Sequence, residues 1–372
     1  MSGILIDILC RVVDNFGDIG VVFRLSRALL ACGGRGFPSV RIRLAVDGLD
    51  SFAKINDRIN PELAFQECDG MAVYDWNRAD VCSAAFSSEF PSVILECFQC
   101  GRPDWLETLL FDRPLPHDVD IIMIDYLTAE DYAGTFHKLP SITRNSHVRK
   151  VNFMPGFTEL TGGLIIEDTE PQAADGTGGI LFFCYPGEWR PLLEGLASAV
   201  SSRIPFFAAP GAGFASVDSA FRSCGDDVRG KFDFIPLEFM NQQDWDRLMY
   251  GCRILFVRGE ESLSRACLSG IPFVWHAYPQ SDDYQLVKVE ALLGRMRPFF
   301  DDVAFSAVRR LWLGFNSPSS GADLRPAASE FIRLEPRLRP SFRAFSQKLR
   351  KNGNLASSLM TFITQNIIIC GK

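Results

Sequence analysis

The chain has 372 residues, 47% of them hydrophobic and 22% charged, with a formal net charge of −7. That length predicts about two domains and that composition a soluble globular protein, while the acidic balance argues against a sequence-independent grip on nucleic acid, which needs clustered Lys and Arg. Eleven cysteines at irregular spacings argue against a secreted disulfide scaffold and fit a reduced cytoplasm.

Met1-Ser2-Gly3 runs straight into ILIDILC without a basic segment or a small-residue cleavage site, so it reads as a first strand and not a signal peptide. No apolar run is long enough to span a bilayer, and no membrane partner is expected. Ile4 to Cys10 is a strand, Arg11 to Asp18 a polar turn, and Ile19 to Cys32 a helix stopped by Gly33 and Gly34. Val40 to Val46 is the next strand. The order strand, loop, helix, strand is a βαβ unit and predicts a parallel sheet. Met71 to Trp76, Ser92 to Cys97 and Asp120 to Asp125 are further strands, and Trp105 to Leu110 a helix.

EDTEPQAADGTGG (167–179) is acidic and glycine-rich with little to bury, and reads as a linker. After it the α/β pattern starts again. Ile180 to Cys184, Pro205 to Ala209 and Phe232 to Ile235 are strands; Arg190 to Val200 and Gln243 to Cys252 are helices. The expected domains are 1–167, a linker 168–179, 180–350, and a closing stretch 351–372 whose apolar run, Leu359 to Cys370, reads as a helix docking on the first domain. The economical architecture is α/β, with two Rossmann-like, doubly wound domains facing each other across a cleft.

The stretch from Leu255 to Gln285 organises the second half. Leu255 to Val257 is a short buried strand and Arg258-Gly259-Glu260-Glu261-Ser262 a charged turn at its carboxyl end. Ser262 then caps a helix that ends before Gly270. Ile271 to Trp275 is a second strand, followed by a contact loop with His276, Tyr278, Gln280, Asp282 and Asp283. Ligands of open α/β sheets bind beyond the carboxyl ends of the strands, and a helix N-terminus there attracts anions, so a phosphate-bearing ligand is expected.

Asp14-Asn15-Phe16-Gly17-Asp18 occupies the corresponding place after the first strand. Capping and the helix dipole account for Asp18 alone but do less well with Asp14. Phe183 and Tyr185 alternate at a strand's carboxyl end; they are core packing or a platform for a base or sugar. Cys97-Phe-Gln-Cys100 lacks the second pair a structural zinc wants, Asp118-Val-Asp120 is a weak DxD, and His117, His137, His147 and His276 show no metal spacing. Gly211-Ala-Gly213 lacks the third glycine of a dinucleotide fingerprint. Neither a metal nor a nicotinamide cofactor is expected.

Taken together, DNFGDIGV (14–21), MPGFTELTGGL (154–164), LFFCY (181–185), VRGEESLSRA (257–266) and PFVWHAYPQ (272–280) resemble the elongation factor P arginine rhamnosyltransferases, in order and over nearly the whole chain. The resemblance implies the GT-B fold and inverting, metal-independent transfer of rhamnose from dTDP-β-L-rhamnose to an arginine of elongation factor P. It implies an amino-terminal half that receives the protein acceptor and a carboxyl-terminal half that holds the nucleotide sugar. By that likeness Asp18 is the general base, and Asp14 orients the site or acceptor, with Asn15, Phe16 and Gly17 in the same loop. Phe183 and Tyr185 lie against the nucleotide and Phe239 and Gln242 recognise thymine. Arg258, Glu260 and Ser262 form the diphosphate and catalytic loop near Tyr278 and Gln280. Where the family usually reads R-G-E-D-S, this chain has Glu261, one methylene longer. The alternatives are a GT-B enzyme with another donor or acceptor and a non-catalytic nucleotide-sugar-binding protein; the missing glycine fingerprint leaves an oxidoreductase a distant third.

Overall fold

The structure is a computed structural model that describes residues 3–13, 16–167, 178–317 and 324–370. It divides into two compact units, residues 1–168 with 352–372, and residues 169–351. Most of the linker stretch, 168–177, lies outside the described residues.

The first unit is built on eight strands: β1 Ile4–Cys10, β2 Val40–Val46, β3 Phe65–Cys68, β4 Met71–Asp75, β5 Val93–Cys97, β6 Val119–Ile124, β7 Pro140–Ser141 and β8 Val148–Phe153. They lie in the order β3-β4-β2-β1-β5-β6-β8-β7. All neighbours are parallel except the edge pairs β3–β4 and β7–β8. Parallel central strands are covered on both faces, which is why β1 and β5 read as continuous apolar runs. Ile6, Ile8, Leu9, Val93, Ile94 and Leu95 are all at most 1% exposed. One charge interrupts β1. Asp7 lies opposite Arg43 of β2, whose Nη2 donates to its Oδ2 at 2.9 Å. Burial nevertheless pushes the Asp7 carboxyl up to about 6, against the pull of Arg43.

Two helices close the core under β1. Gly17–Cys32 starts two residues earlier than the pattern of apolar positions predicts. Leu355–Cys370 contributes Leu355, Ala356, Leu359, Met360 and Ile363 to the same apolar cluster as Val22, Leu25 and Leu29.

The second unit has five strands, β9 Ile180–Phe182, β10 Ile204–Ala208, β11 Phe232–Pro236, β12 Ile254–Arg258 and β13 Phe273–His276. The order is β11-β10-β9-β12-β13, all parallel. Its core is phenylalanine-rich: Phe182 stacks on Phe206 (centroids 5.7 Å apart) and touches Phe256 and Trp189. The helix Leu324–Asn352, which periodicity had not marked, keeps Pro336 and Pro340 inside it. It buries Phe331, Ile332, Leu338, Phe342, Phe345 and Leu349. Buried Glu335 accepts from Arg253 and Arg339 beside those prolines, which helps hold the weakened turns.

In both sheets the strand order reverses beside the first strand. β1 has β2 on one side and β5 on the other; β9 has β10 and β12. Helices leave toward opposite faces at such a point and open a crevice at the carboxyl ends of the strands, where α/β proteins bind ligands. The fold thus marks two places: the ends of β1 and β5, and the ends of β9 and β12. No helix among the described residues is long and apolar enough to cross a membrane.

Candidate functional site

At the end of β1 the chain passes Arg11 to Val13 and enters the helix Gly17–Cys32; Asp14 and Asn15 lie outside the described residues. Phe16 is the N-cap and makes no side-chain cap bond, while the Lys54 ammonium stands 5.5 Å from its ring. Asp18 falls in the first turn and is 3% exposed. Its Oδ2 accepts the Val13 N–H at 2.8 Å and its Oδ1 accepts the Tyr126 hydroxyl at 3.4 Å. Tyr126, just past β6, is a site neighbour that no motif marks, because more than a hundred residues separate it from Asp18.

The second place is richer. β9 stops at Phe182, so Phe183 and Tyr185 leave the sheet and do not alternate along it as the strand pattern predicts. They still meet at one group. The Arg258 guanidinium sits 4.6 Å from the Phe183 ring centroid and 4.7 Å from that of Tyr185. Arg258 is the last residue of β12 and 8% exposed. Among the described residues its Nε has no hydrogen-bond partner and no acidic side chain pairs with it. Two glycines make the space. A Cβ at Gly211 would stand 3.3 Å from Arg258 Nη2, and one at Gly213 would strike the Cys184 carbonyl at 2.1 Å. Gly211-Ala-Gly213 is thus a backbone clearance beside Arg258, which explains its glycines without a dinucleotide fingerprint.

The charged turn predicted at 258–262 is helix instead. Gly259 has φ +70, a left-handed conformation that lets β12 turn into the helix Gly259–Ser269 with no intervening loop. Arg258 is the N-cap, and Ser262 lies inside the helix, buried at 5%, where it cannot cap it. Gly270 ends the helix with φ +69, as expected. Glu260 and Glu261 occupy the first turn, both partly exposed. Glu261 Oε1 accepts from Gln242 Nε2 at 3.3 Å. Gln242 is buried at the first turn of the helix Gln242–Gly251, whose Asn241 cap accepts the Asp244 N–H. Phe239, two residues before that cap, is 51% exposed.

His276 belongs to β13 and not to a contact loop. It is 6% exposed, and its Nδ1 accepts the Tyr185 N–H at 3.2 Å. Tyr278 is exposed and packs edge-on against Tyr185 with centroids 5.4 Å apart; Gln280 is exposed, with its N–H on Gln285 Oε1. The structure therefore brings Arg258, Phe183, Tyr185, His276 and Tyr278 into one cluster and links Gln242 to Glu261. Trp245, edge-on to Phe183 at 5.2 Å, joins them unannounced by any motif.

Burial, with the Arg258 charge second, pulls the His276 imidazole down to about 3 from the ordinary 6.5. The folded protein keeps this ring neutral while the unfolded chain protonates it below 6.5. Stability is therefore lost as pH falls from 6.5 toward 3, by up to about 4–5 kcal/mol. His276→Asn retains an acceptor for the Tyr185 N–H and is expected to flatten the fall of melting temperature between pH 6.5 and 4. A slope equal to wild type would exclude His276 as its source.

The Cys97 and Cys100 thiols are free and buried, and burial pushes Cys100 up to about 12. Among the described residues no group of three His, Cys, Asp or Glu side chains is placed to hold a metal ion.

Comparison with known proteins adds three kinds of likeness. Residues 6–364 match the family model described as Elongation-Factor P (EF-P) rhamnosyltransferase EarP. A protein-arginine rhamnosyltransferase of Pseudomonas aeruginosa is 32% identical over 96% of this chain and 98% of its own length. One of Pseudomonas putida is 30% identical over 97% and 99%. A chain solved for the structural basis of EarP-mediated arginine glycosylation of translation elongation factor EF-P superposes with a TM-score of 0.61 at 23% identity, covering 97% of this chain and 99% of that one. The spinosyn rhamnosyltransferase SpnG gives 0.51 at 13% identity, covering 96% and 100%. These structural likenesses bear out two Rossmann-like α/β units of the GT-B kind.

Proposed function

Since the chain belongs to the elongation factor P rhamnosyltransferase family, we propose that it transfers rhamnose from dTDP-β-L-rhamnose to an arginine of elongation factor P, with inversion and without a metal. The observation that carries the donor half is Arg258. A guanidinium that is 8% exposed and has no acidic partner among the described residues is costly, and an anion placed against it recovers that cost. The first amides of Gly259–Ser269 lie next to it, and helix N-termini favour phosphate. Phe183, Tyr185 and Tyr278 give an aromatic surround for the nucleotide sugar. Gln242 and Phe239 take the thymine, and Glu260, Glu261, Ser262 and Gln280 frame the diphosphate and the sugar.

The acceptor half rests on Asp18, with Asp14, Asn15, Phe16 and Gly17 in the loop around it. Arginine is a poor nucleophile because its guanidinium stays protonated, with a pKa above ~12. A carboxylate cannot strip that proton in advance. It can hold the guanidinium by a charge-assisted hydrogen bond and accept the proton as the bond forms. The arginine nitrogen then attacks the anomeric carbon, the bond from that carbon to the diphosphate oxygen breaks, and the proton passes to Asp18. Charge gathers on the departing dTDP, where Arg258 and the helix amides stabilise it. Attack opposite the leaving group inverts the β-linkage.

Intact mass of purified elongation factor P, incubated with this protein, dTDP-rhamnose and chelator, tests the reading. A gain of one deoxyhexose, lost when the acceptor arginine is changed to lysine, is expected. No gain while dTDP-rhamnose still binds would move the acceptor to another protein; neither gain nor binding would overturn the donor as well. Phe239→Ala is expected to raise the KM for the donor with melting temperature unchanged, since base–aromatic stacking is worth about 1–3 kcal/mol and the ring is half exposed. An unaltered KM would remove Phe239 from the base site.

A further inference from the structure

The turn that closes β5 places two residues other than glycine in the left-handed region. Phe98 and Gln99 both have left-handed backbones, with φ +58 and +53, which side chains other than glycine adopt only where their surroundings hold them. The Phe98 N–H donates to the Ile124 carbonyl at 2.7 Å and the Cys100 N–H to the Cys97 carbonyl at 3.1 Å. The outcome is a stacked pair: the Phe98 and Tyr126 rings lie 4.7 Å apart at 21°. Phe98 is braced on its other contacts by the apolar cluster under β1. Gln99 Nε2 reaches Asp125 Oδ2 at 3.5 Å, and Asp125 Oδ1 accepts the Tyr126 N–H at 2.8 Å. Ring and backbone of Tyr126 are thus both held, and its hydroxyl meets Asp18 Oδ1.

We propose that Tyr126 is a positioning residue for Asp18, fixed by the Phe98–Gln99 turn, and that its ring walls the place where the acceptor guanidinium lies. The inference deepens the proposed transfer to arginine and rests on it. A base that takes a proton only as the new bond forms must present its lone pair in one direction. The Val13 N–H donates to one carboxylate oxygen at 2.8 Å and the Tyr126 hydroxyl lies 3.4 Å from the other, so each oxygen has a neighbour that restrains rotation of the carboxylate. Tyr126 is 38% exposed, and a planar cation lies favourably along an aromatic ring beside a carboxylate. Phe98 and Tyr126 follow directly on β5 and β6, which are neighbours in the sheet, and Asp18 comes from the first turn of the helix that follows β1, the strand on the other side of β5. The CFQC segment thereby acquires a role through its two middle residues.

Initial rates of rhamnose transfer to elongation factor P, read by intact mass, test this with melting temperature and donor KM measured alongside. Tyr126→Phe keeps the stack and loses only the hydroxyl. It is expected to lower kcat about tenfold, with donor KM and melting temperature unchanged. Phe98→Leu frees the ring and is expected to lower kcat by a smaller factor. The double variant is expected to lose less than the product of the two single losses, because Phe98 acts through Tyr126. A Tyr126→Phe kcat within twofold of wild type, or losses that multiply in the double variant, would overturn the inference. Wild type that transfers rhamnose while Tyr126→Phe keeps its rate sinks this inference alone; wild type that transfers nothing sinks the parent reading, and this one with it.

Discussion

Asp18→Asn is expected to leave the fold and the affinity for dTDP-rhamnose intact and to cut kcat roughly a thousandfold, within the range that a positioned general base contributes. The substitution is close to isosteric. The amide oxygen of Asn can still accept the Val13 N–H, and the Tyr126 hydroxyl, a donor and an acceptor, can turn to receive the amide N–H. What disappears is the negative charge. The neutral side chain can neither form an ion pair with a guanidinium nor take its proton, so the loss is expected to fall on transfer and not on the donor, which the proposed function gives to the other unit. Single-turnover mass measurements give the rate, calorimetric titration with dTDP-rhamnose the donor affinity, and thermal denaturation the fold. A variant that transfers at near-normal rate removes Asp18 from the mechanism, and one that melts well below wild type converts it to a structural residue at a helix N-terminus.

Much of this architecture is legible in the sequence, and the reasons are local. β5 and β12 are short, mostly apolar runs bounded by polar turns, as strands buried on both faces must be. The errors have local causes too. The helix after β12 begins at Gly259 and not after Ser262, because one glycine at φ +70 does the work of a turn and the charged residues behind it already belong to the helix. Leu324–Asn352 is a single helix although Pro336 and Pro340 would ordinarily end one, because tertiary burial of its apolar side outweighs two missing bonds. The site residues divide the same way. Arg258, Phe183 and Tyr185 stand out because they sit at the ends of strands, a position that a pattern can find. Tyr126, Phe98, Trp245 and the clearance at Gly211 and Gly213 do not, since their partners are set by which strands are neighbours and no spacing along the chain encodes that. His276 shows the limit from the other side: a histidine in a polar-looking stretch is in fact the last buried residue of β13, and only the fold reveals it.

Arg258→Met is expected to abolish transfer while leaving the ligand-free protein as stable as wild type or more so by about 1–3 kcal/mol, the scale on which apolar replacement of buried charge is known to act. The two effects have one origin. Arg258 is 8% exposed, its Nε is unpartnered, and among the described residues only aromatic faces, Phe183 and Tyr185, compensate its charge. Such contacts are worth far less than an ion pair to a desolvated guanidinium. Methionine fills similar space against the same rings and carries no charge, so the free state gains; the dTDP leaving group loses its buried cation, so kcat falls at least a hundredfold. Arg258→Lys separates charge from shape. It restores the cation but neither the planar stacking nor the forked donor, and is expected to recover only part of the rate. His276 supplies an internal check. Arg258 is the second cause of its lowered pKa after burial, so the imidazole should titrate higher in Arg258→Met than in wild type, and the acid loss of stability should shrink accordingly. Thermal melts with and without dTDP complete the argument: the nucleotide should raise the melting temperature of wild type and not of Arg258→Met. If dTDP stabilises both equally, or if Arg258→Met melts several degrees below wild type, Arg258 is a structural charge and the diphosphate lies elsewhere.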